Sequence, residues 1–129
     1  MMLSASPIYL SLTTLLFILL SVRVVLAREA VQASHGDGGD RELRKRIRAH
    51  ANCAEYAPIL LLLLVAAELQ GTPGWVIHLF GALIVLSRGL HAYWISQTPE
   101  PLGRRVLTMG TTFALLALLA LGNLGHAIL

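Results

Sequence analysis

Charged side chains are scarce in this sequence. Asp, Glu, Lys and Arg make up 13% of its 129 residues, against 56% that are hydrophobic, which is about half the charged share usual in a soluble domain. That balance excludes a water-soluble fold and indicates an integral membrane protein. Cysteine is limited to Cys53, so no internal disulfide can form and the residue is read as a packing position. Neither a GxGxxG nor a P-loop pattern occurs, which removes a nucleotide site. No basic segment precedes the first apolar run, and Arg23 interrupts its end. The small residues around Val25-Leu26-Ala27 are therefore not read as a signal-peptidase site, and the first helix is expected in the mature protein.

What the sequence has in quantity is hydrocarbon. Four apolar stretches run from Ile8 to Ala27, His50 to Leu69, Trp75 to Ile95 and Val106 to Ile128. Each is close to the roughly 20 helical residues that span a bilayer core of about 30 Å. Asp40 can cap a helix beginning at Arg41, so the second helix is expected over residues 41–69, with its first turns outside the membrane. The fold class is an all-α, four-transmembrane-helix bundle, one domain over residues 1–129. The net charge is +3, and Arg28, Arg41, Arg44, Lys45, Arg46, Arg48, Arg104 and Arg105 all fall in or beside the first and third connections. The second connection, Gln70 to Gly74, and both termini carry no charged side chain. This asymmetry predicts that loops 1 and 3 are cytoplasmic and both termini lie on the opposite side. The basic residues are read as a headgroup face, not as a nucleic-acid surface.

Polar residues inside the apolar runs mark a site, because an ionisable group in a membrane costs about 2.5–3.5 kcal/mol on insertion scales and needs a partner. Arg48, Asn52, Glu55 and Tyr56 recur at i, i+4, i+7 and i+8 and share one stripe of the second helix. Counted from the same membrane face, Glu55 and Arg88 each lie roughly 10 Å deep, which predicts that they pair. Arg23, Asn52 and His91 fall in a second, shallower layer. Arg104 and Arg105 add cations at the same rim without matching carboxylates, as an anionic ligand would require. Glu68 is expected as a solvated helix end. The fourth helix reads as structural, with Gly110, Gly122 and Gly125 as close-packing positions.

Arg48-Ala49-His50-Ala51-Asn52-Cys53-Ala54-Glu55-Tyr56-Ala57-Pro58 closely resembles the Arg-Ala-x-x-Asn-x-x-Glu-Tyr-x-Pro signature of the membrane-associated proteins in eicosanoid and glutathione metabolism, the MAPEG family. Arg88-Gly89-Leu90-His91 is similar to an Arg-x-x-His motif in that family's third helix. Gly36-Asp37-Gly38-Gly39 and His91-Ala92-Tyr93 resemble its bacterial branch. The resemblance covers the four-helix layout of the entire chain.

The resemblance implies a homotrimer in the inner membrane that binds glutathione between neighbouring subunits near the cytoplasmic side. Its glutathione contacts fall on Arg48, Asn52, Glu55, Tyr56 and His91, with Arg23 and Arg88 as further candidates from depth and charge. Glutathione would offer two carboxylates to arginines and an ammonium to Glu55, in competition with the Glu55–Arg88 pair. Arg104 or Arg105 would stabilise the thiolate. No metal is expected, and the partners implied are membrane lipid, a second and third copy of the chain, and an apolar electrophile. The implied activity is a glutathione transferase or peroxidase. Eicosanoid-forming members carry a tyrosine one turn beyond the position of His91, where this chain has Ile95, so a specific eicosanoid synthase is not implied. The alternative is a non-catalytic lipid-binding or scaffold protein of the same fold. Small multidrug transporters also have four short helices, but they use a carboxylate in the first helix, and this one has none.

Overall fold

The computed structural model describes residues 3–128 and contains four helices: α1 Ser6–Ala30, α2 Arg41–Leu69, α3 Gly74–Ile95 and α4 Leu102–Ile128. All four are long and apolar enough to cross a membrane. A helix is the form that lets such a segment cross alone, since every backbone group finds its partner within the segment. The third connection is shorter than expected: α4 begins at Leu102 instead of Val106, so Arg104 and Arg105 are helical, with Arg105 N donating to Pro101 O.

The helix ends follow local chemistry. Asp40 caps α2 as predicted, its Oδ1 accepting from Leu43 N at 2.6 Å. At the other end Gly71 takes φ +89°, Gly71 N donates to Glu68 O and Thr72 N to Ala67 O. This left-handed turn closes α2 and reverses the chain into α3.

Helix α1 has no side-chain cap of its own. It is capped by Glu68, which lies not in solvent, as the sequence suggested, but buried. Its carboxylate accepts from the amides of Ser4, Ala5 and Ser6, each at 2.8 Å, and from Ser4 Oγ at 3.1 Å. The antiparallel run of α1 and α2 brings the end of one to the start of the other. There the carboxylate meets the orphan N–H groups and positive dipole end of α1.

Helices α2 and α3 form the centre. α1 packs on both and α4 packs on both, but α1 and α4 do not touch. Away from the basic loops the core is apolar across the whole bundle, with Ala5, Leu60, Leu64, Ile77, Ile84 and Leu115 in one cluster. α1 approaches α3 closely at Gly81, where a Cβ would collide with the Tyr9 ring. The expected close-packing glycines of α4 are different: a Cβ at Gly110, Gly122 or Gly125 meets no atom within 4 Å. They leave open space rather than tight contact within the chain.

At the basic end the core splits sideways. On the α1 side it stays apolar, with Leu20, Ala49, Cys53, Ala57, Ala92 and Ile95 packed together. On the α4 side, at the same depth, it is polar.

Candidate functional site

Three helices each contribute a pair of polar residues at helical spacing to that polar side: Asn52 and Tyr56 from α2, Arg88 and His91 from α3, Thr108 and Thr112 from α4. Spacings of three and four put each pair on one face. Arg88 is the centre and is 1% exposed. Its Nη1 donates to Asn52 Oδ1 at 2.7 Å and its Nη2 to Thr112 Oγ1. Thr112 Oγ1 is free to accept because its own proton goes to Thr108 O at 2.8 Å. The Arg88 Cζ stands 5.6 Å from the centroid of the Tyr56 ring, within reach of a cation–π attraction. His91 Nδ1 shares a hydrogen bond with Thr108 Oγ1 at 2.8 Å. The Asn52 amide reaches Met109 Sδ at 3.6 Å, and Tyr56 meets Phe113 edge-on with ring centroids 5.9 Å apart.

Arg88 has no ion pair among the described residues, and its Nε is buried without a partner. The predicted Glu55–Arg88 pair does not form. Glu55 is bound to Arg48 instead, Nη1 to Oε1 at 3.2 Å, with side chains 47% and 54% exposed. Helical geometry explains the choice. At about 100° per residue, positions seven apart return to within about 20° of one another. Arg48 and Glu55 therefore lie together at one edge of the stripe, while Asn52, about 40° round from Arg48, is buried and Tyr56, about 80° round, is half-buried.

The remaining candidates lie around this layer. Arg104 stacks its guanidinium 4.4 Å from the Trp94 ring centroid. Arg105 is paired with Glu100 at 2.6 Å and borders a shallow groove with Met109 and Phe113. Arg23 is half-buried on α1 and has no side-chain hydrogen bond or ion pair among the described residues. The structure does not bring it to Asn52 and His91, because α1 packs on the opposite side of α2 and α3 from α4. Equal depth is not proximity. Asn52 in turn belongs with Arg88, so the two layers read from the sequence are one.

Sequence reasoning missed the contribution of α4. Thr108, Met109 and Thr112 complete the polar layer, and Glu100 and Trp94 hold the two rim arginines. The signal was present: Thr108 and Thr112 sit four apart in a membrane-spanning helix, as Arg88 and His91 sit three apart.

The flanking loops consume part of the positive charge. Lys45 Nζ donates to Gln97 O at 2.9 Å, pairs with Glu42 at 3.1 Å and reaches Thr98 Oγ1, which ties the third connection to α2. Arg28 donates to Gly36 O at 2.7 Å. Arg44 binds Asp37, and this hydrogen bond holds the Asp37 carboxyl below the usual carboxylate range.

Residues 6–123 match the model of the MAPEG family. The chain is also 35% identical over 121 residues to inner membrane protein YecN of Escherichia coli strain K12, a match covering 94% of this chain and 91% of that protein. The YecN of Escherichia coli O6:H1 strain CFT073 matches at the same identity and coverage.

Proposed function

Because the chain belongs to the MAPEG family, we propose that this inner-membrane protein binds glutathione at its basic end and acts as a glutathione transferase or peroxidase on apolar electrophiles or lipid hydroperoxides. The observation that carries this reading is Arg88, a buried guanidinium satisfied only by neutral acceptors and an aromatic face. A cation held without a carboxylate costs desolvation energy, and an anionic ligand offsets it. Around Arg88 the rim holds Arg48, Arg104 and Arg105 against Glu55 and Glu100. That leaves an excess of guanidinium for the two carboxylates of glutathione.

In this reading the Arg48–Glu55 pair opens on binding, with Arg48 taking a ligand carboxylate and Glu55 the ammonium. Asn52, Tyr56 and His91 line the inner wall, and Arg88 sets its potential from behind. Arg23, on the far side of the bundle, serves the site only across a subunit boundary, as a homotrimer with glutathione between subunits would allow. Loops 1 and 3 then face the cytoplasm, where glutathione is available. Arg104 or Arg105 stabilises the thiolate: lowering a thiol pKa by roughly two units takes about 2.7 kcal/mol, within reach of one or two poorly hydrated guanidinium contacts. The thiolate attacks the electrophile entering from the bilayer, and no protein nucleophile is needed.

A second reading is a non-catalytic lipid-binding protein. It is favoured by the engagement of both arginines, Arg104 with Trp94 and Arg105 with Glu100, and by an apolar groove of about 460 Å³ between α1 and α2. Calorimetry of glutathione with the detergent-purified protein tests the first reading. Binding in the low millimolar range or tighter is expected, lost in Arg48→Ala and in Glu55→Ala. Turnover should then fall in Arg104→Ala or Arg105→Ala while binding survives. A folded protein that binds no glutathione overturns the proposal, and unchanged turnover in both arginine variants removes the thiolate role.

A further inference from the structure

At the end of the bundle opposite the basic loops, α2, α3 and α4 enclose a second cavity of about 290 Å³, just under the range of roughly 300–1,000 Å³ for small-molecule sites. Its wall changes character along the helix axes. Gln70, Thr72, Asn123 and His126 stand at the outer end, and Leu64, Phe80 and Leu119 lie deeper. Among the described residues, no Asp, Glu, Lys or Arg lines it. The nearby carboxylate, Glu68, is committed to the start of α1.

The polar groups are largely free of partners within the chain: His126 is exposed, and Gln70 and Thr72 are half-buried. Among the described residues, neither Thr72 nor His126 has a side-chain hydrogen bond. Gln70 spends one N–H on a long bond to Asn123 O at 3.4 Å, and its Oε1 takes none. Asn123 has a different task. Its Nδ2 donates to Leu63 O on α2 at 3.0 Å and to Leu119 O on α4 at 2.8 Å, tying the two walls together. Those two carbonyls fix the orientation of the amide, because a flipped amide would set oxygen against oxygen. Its Oδ1 is left buried without a donor.

We infer that this cavity is a binding site for a neutral, single-chain amphiphile with a hydroxyl headgroup. The uncharged lining disfavours an ionic head, which would lose hydration without gaining a counter-charge. Free acceptors and two-way hydrogen-bonding groups at the outer end suit a hydroxyl, which donates and accepts. The apolar deep end points toward the membrane interior, so polarity falls along the cavity as it does along an amphiphile in a bilayer. The volume admits one short chain and not two acyl chains. Asn123 is a positioning residue that holds the walls at the right separation. This site is independent of the glutathione reading, from which it is separated by the apolar core of the bundle.

The test is photolabelling of the protein in phospholipid nanodiscs, free of sugar-headed detergent, with an octanol bearing a diazirine on its chain. Label should map to the 64–80 and 118–126 segments, and excess 1-octanol should displace it at least fivefold while n-octane does not. Asn123→Leu should reduce labelling by a similar factor. Gly122→Leu provides a second variant, since a Cβ there meets no atom within 4 Å and a larger side chain can intrude on the cavity without disturbing packing; it too should lose the label. Labelling spread evenly over the lipid-facing helices, equal displacement by octane, or full labelling of a folded Gly122→Leu protein would overturn the inference.

Discussion

Glu55 and Glu68 lie on the same helix, α2, and near opposite faces of the bundle, yet they are used in contrary ways. Glu68 is 9% exposed and accepts four hydrogen bonds from the start of α1. Glu55 is half-exposed and has a single partner, Arg48, at 3.2 Å. At the end opposite the basic loops, Glu68 is spent fully on structure. At the basic end Asp37, Glu42 and Glu100 are paired, but Glu55 is held more loosely and the most buried cation, Arg88, has no carboxylate among the described residues. A group that is fully satisfied inside the fold has little left to offer a ligand. The charge left over for an ionic ligand therefore lies at the basic end.

The comparison is broken most sharply by removing each carboxylate in turn. Glu68→Ala orphans three backbone amides at the start of α1, and with charge-assisted bonds worth more than neutral ones a loss of about 2–4 kcal/mol is expected. Glu55→Ala removes one exposed ion pair and should cost under about 1 kcal/mol. Thermal unfolding of both variants in one detergent measures the difference, and equal losses would show that the two carboxylates are not used differently.

The next effect in size belongs to the close approach of α1 to α3 at Gly81. Gly81→Ala drives a methyl into the Tyr9 ring, and overpacking of that kind costs about 1–3 kcal/mol. It should also disturb the bond from Tyr9 OH to His78 Nδ1, now 2.8 Å. Gly110→Ala on the open face of α4 should leave the melting temperature unchanged or slightly raised, since alanine favours a helix. If Gly81→Ala melts no lower than Gly110→Ala, the close approach of α1 to α3 is wrong.

The smallest effect sharpens the basic end. Asp37 has its pKa depressed by the Arg44 hydrogen bond, so the ordering it gives the first connection is present at neutral pH, above its unfolded pKa. That ordering is lost as pH falls through the lower folded value. A carbon-detected NMR titration should find its midpoint below that of an unperturbed aspartate, and Arg44→Ala should raise it toward the ordinary range while the Gly39 N–H bond to Asp37 Oδ1 still holds it down in part.

Much of the architecture is legible in the sequence. Helix spans follow from apolar run length, and the Asp40 cap from a residue type whose short side chain reaches an amide three positions on. The buried state of Cys53 was legible too. Asn52, Tyr56, Arg88 and His91 were found because polar groups inside hydrocarbon are expensive. The pairing among them was not legible. Depth along a helix can be counted from the sequence, but rotation about its axis depends on which neighbour it packs against. Glu55 and Arg88 match in depth and differ in direction, and Arg23 matches in depth on the wrong side of the bundle. Glu68 was misplaced for a related reason, since its partners are backbone amides, which carry no mark in the sequence.

The sequence by itself determined that this chain crosses a membrane four times, where the charge gathers and which motif it carries, because hydropathy and local spacing are properties of the segment alone. Only the tertiary structure decided that Arg88 sits among neutral acceptors, that α4 supplies Thr108 and Thr112 to complete the layer, and that Glu68 belongs to α1. Those outcomes depend on how one helix is turned against another, and that is fixed by the joint packing of α1 and α4 on the α2–α3 pair.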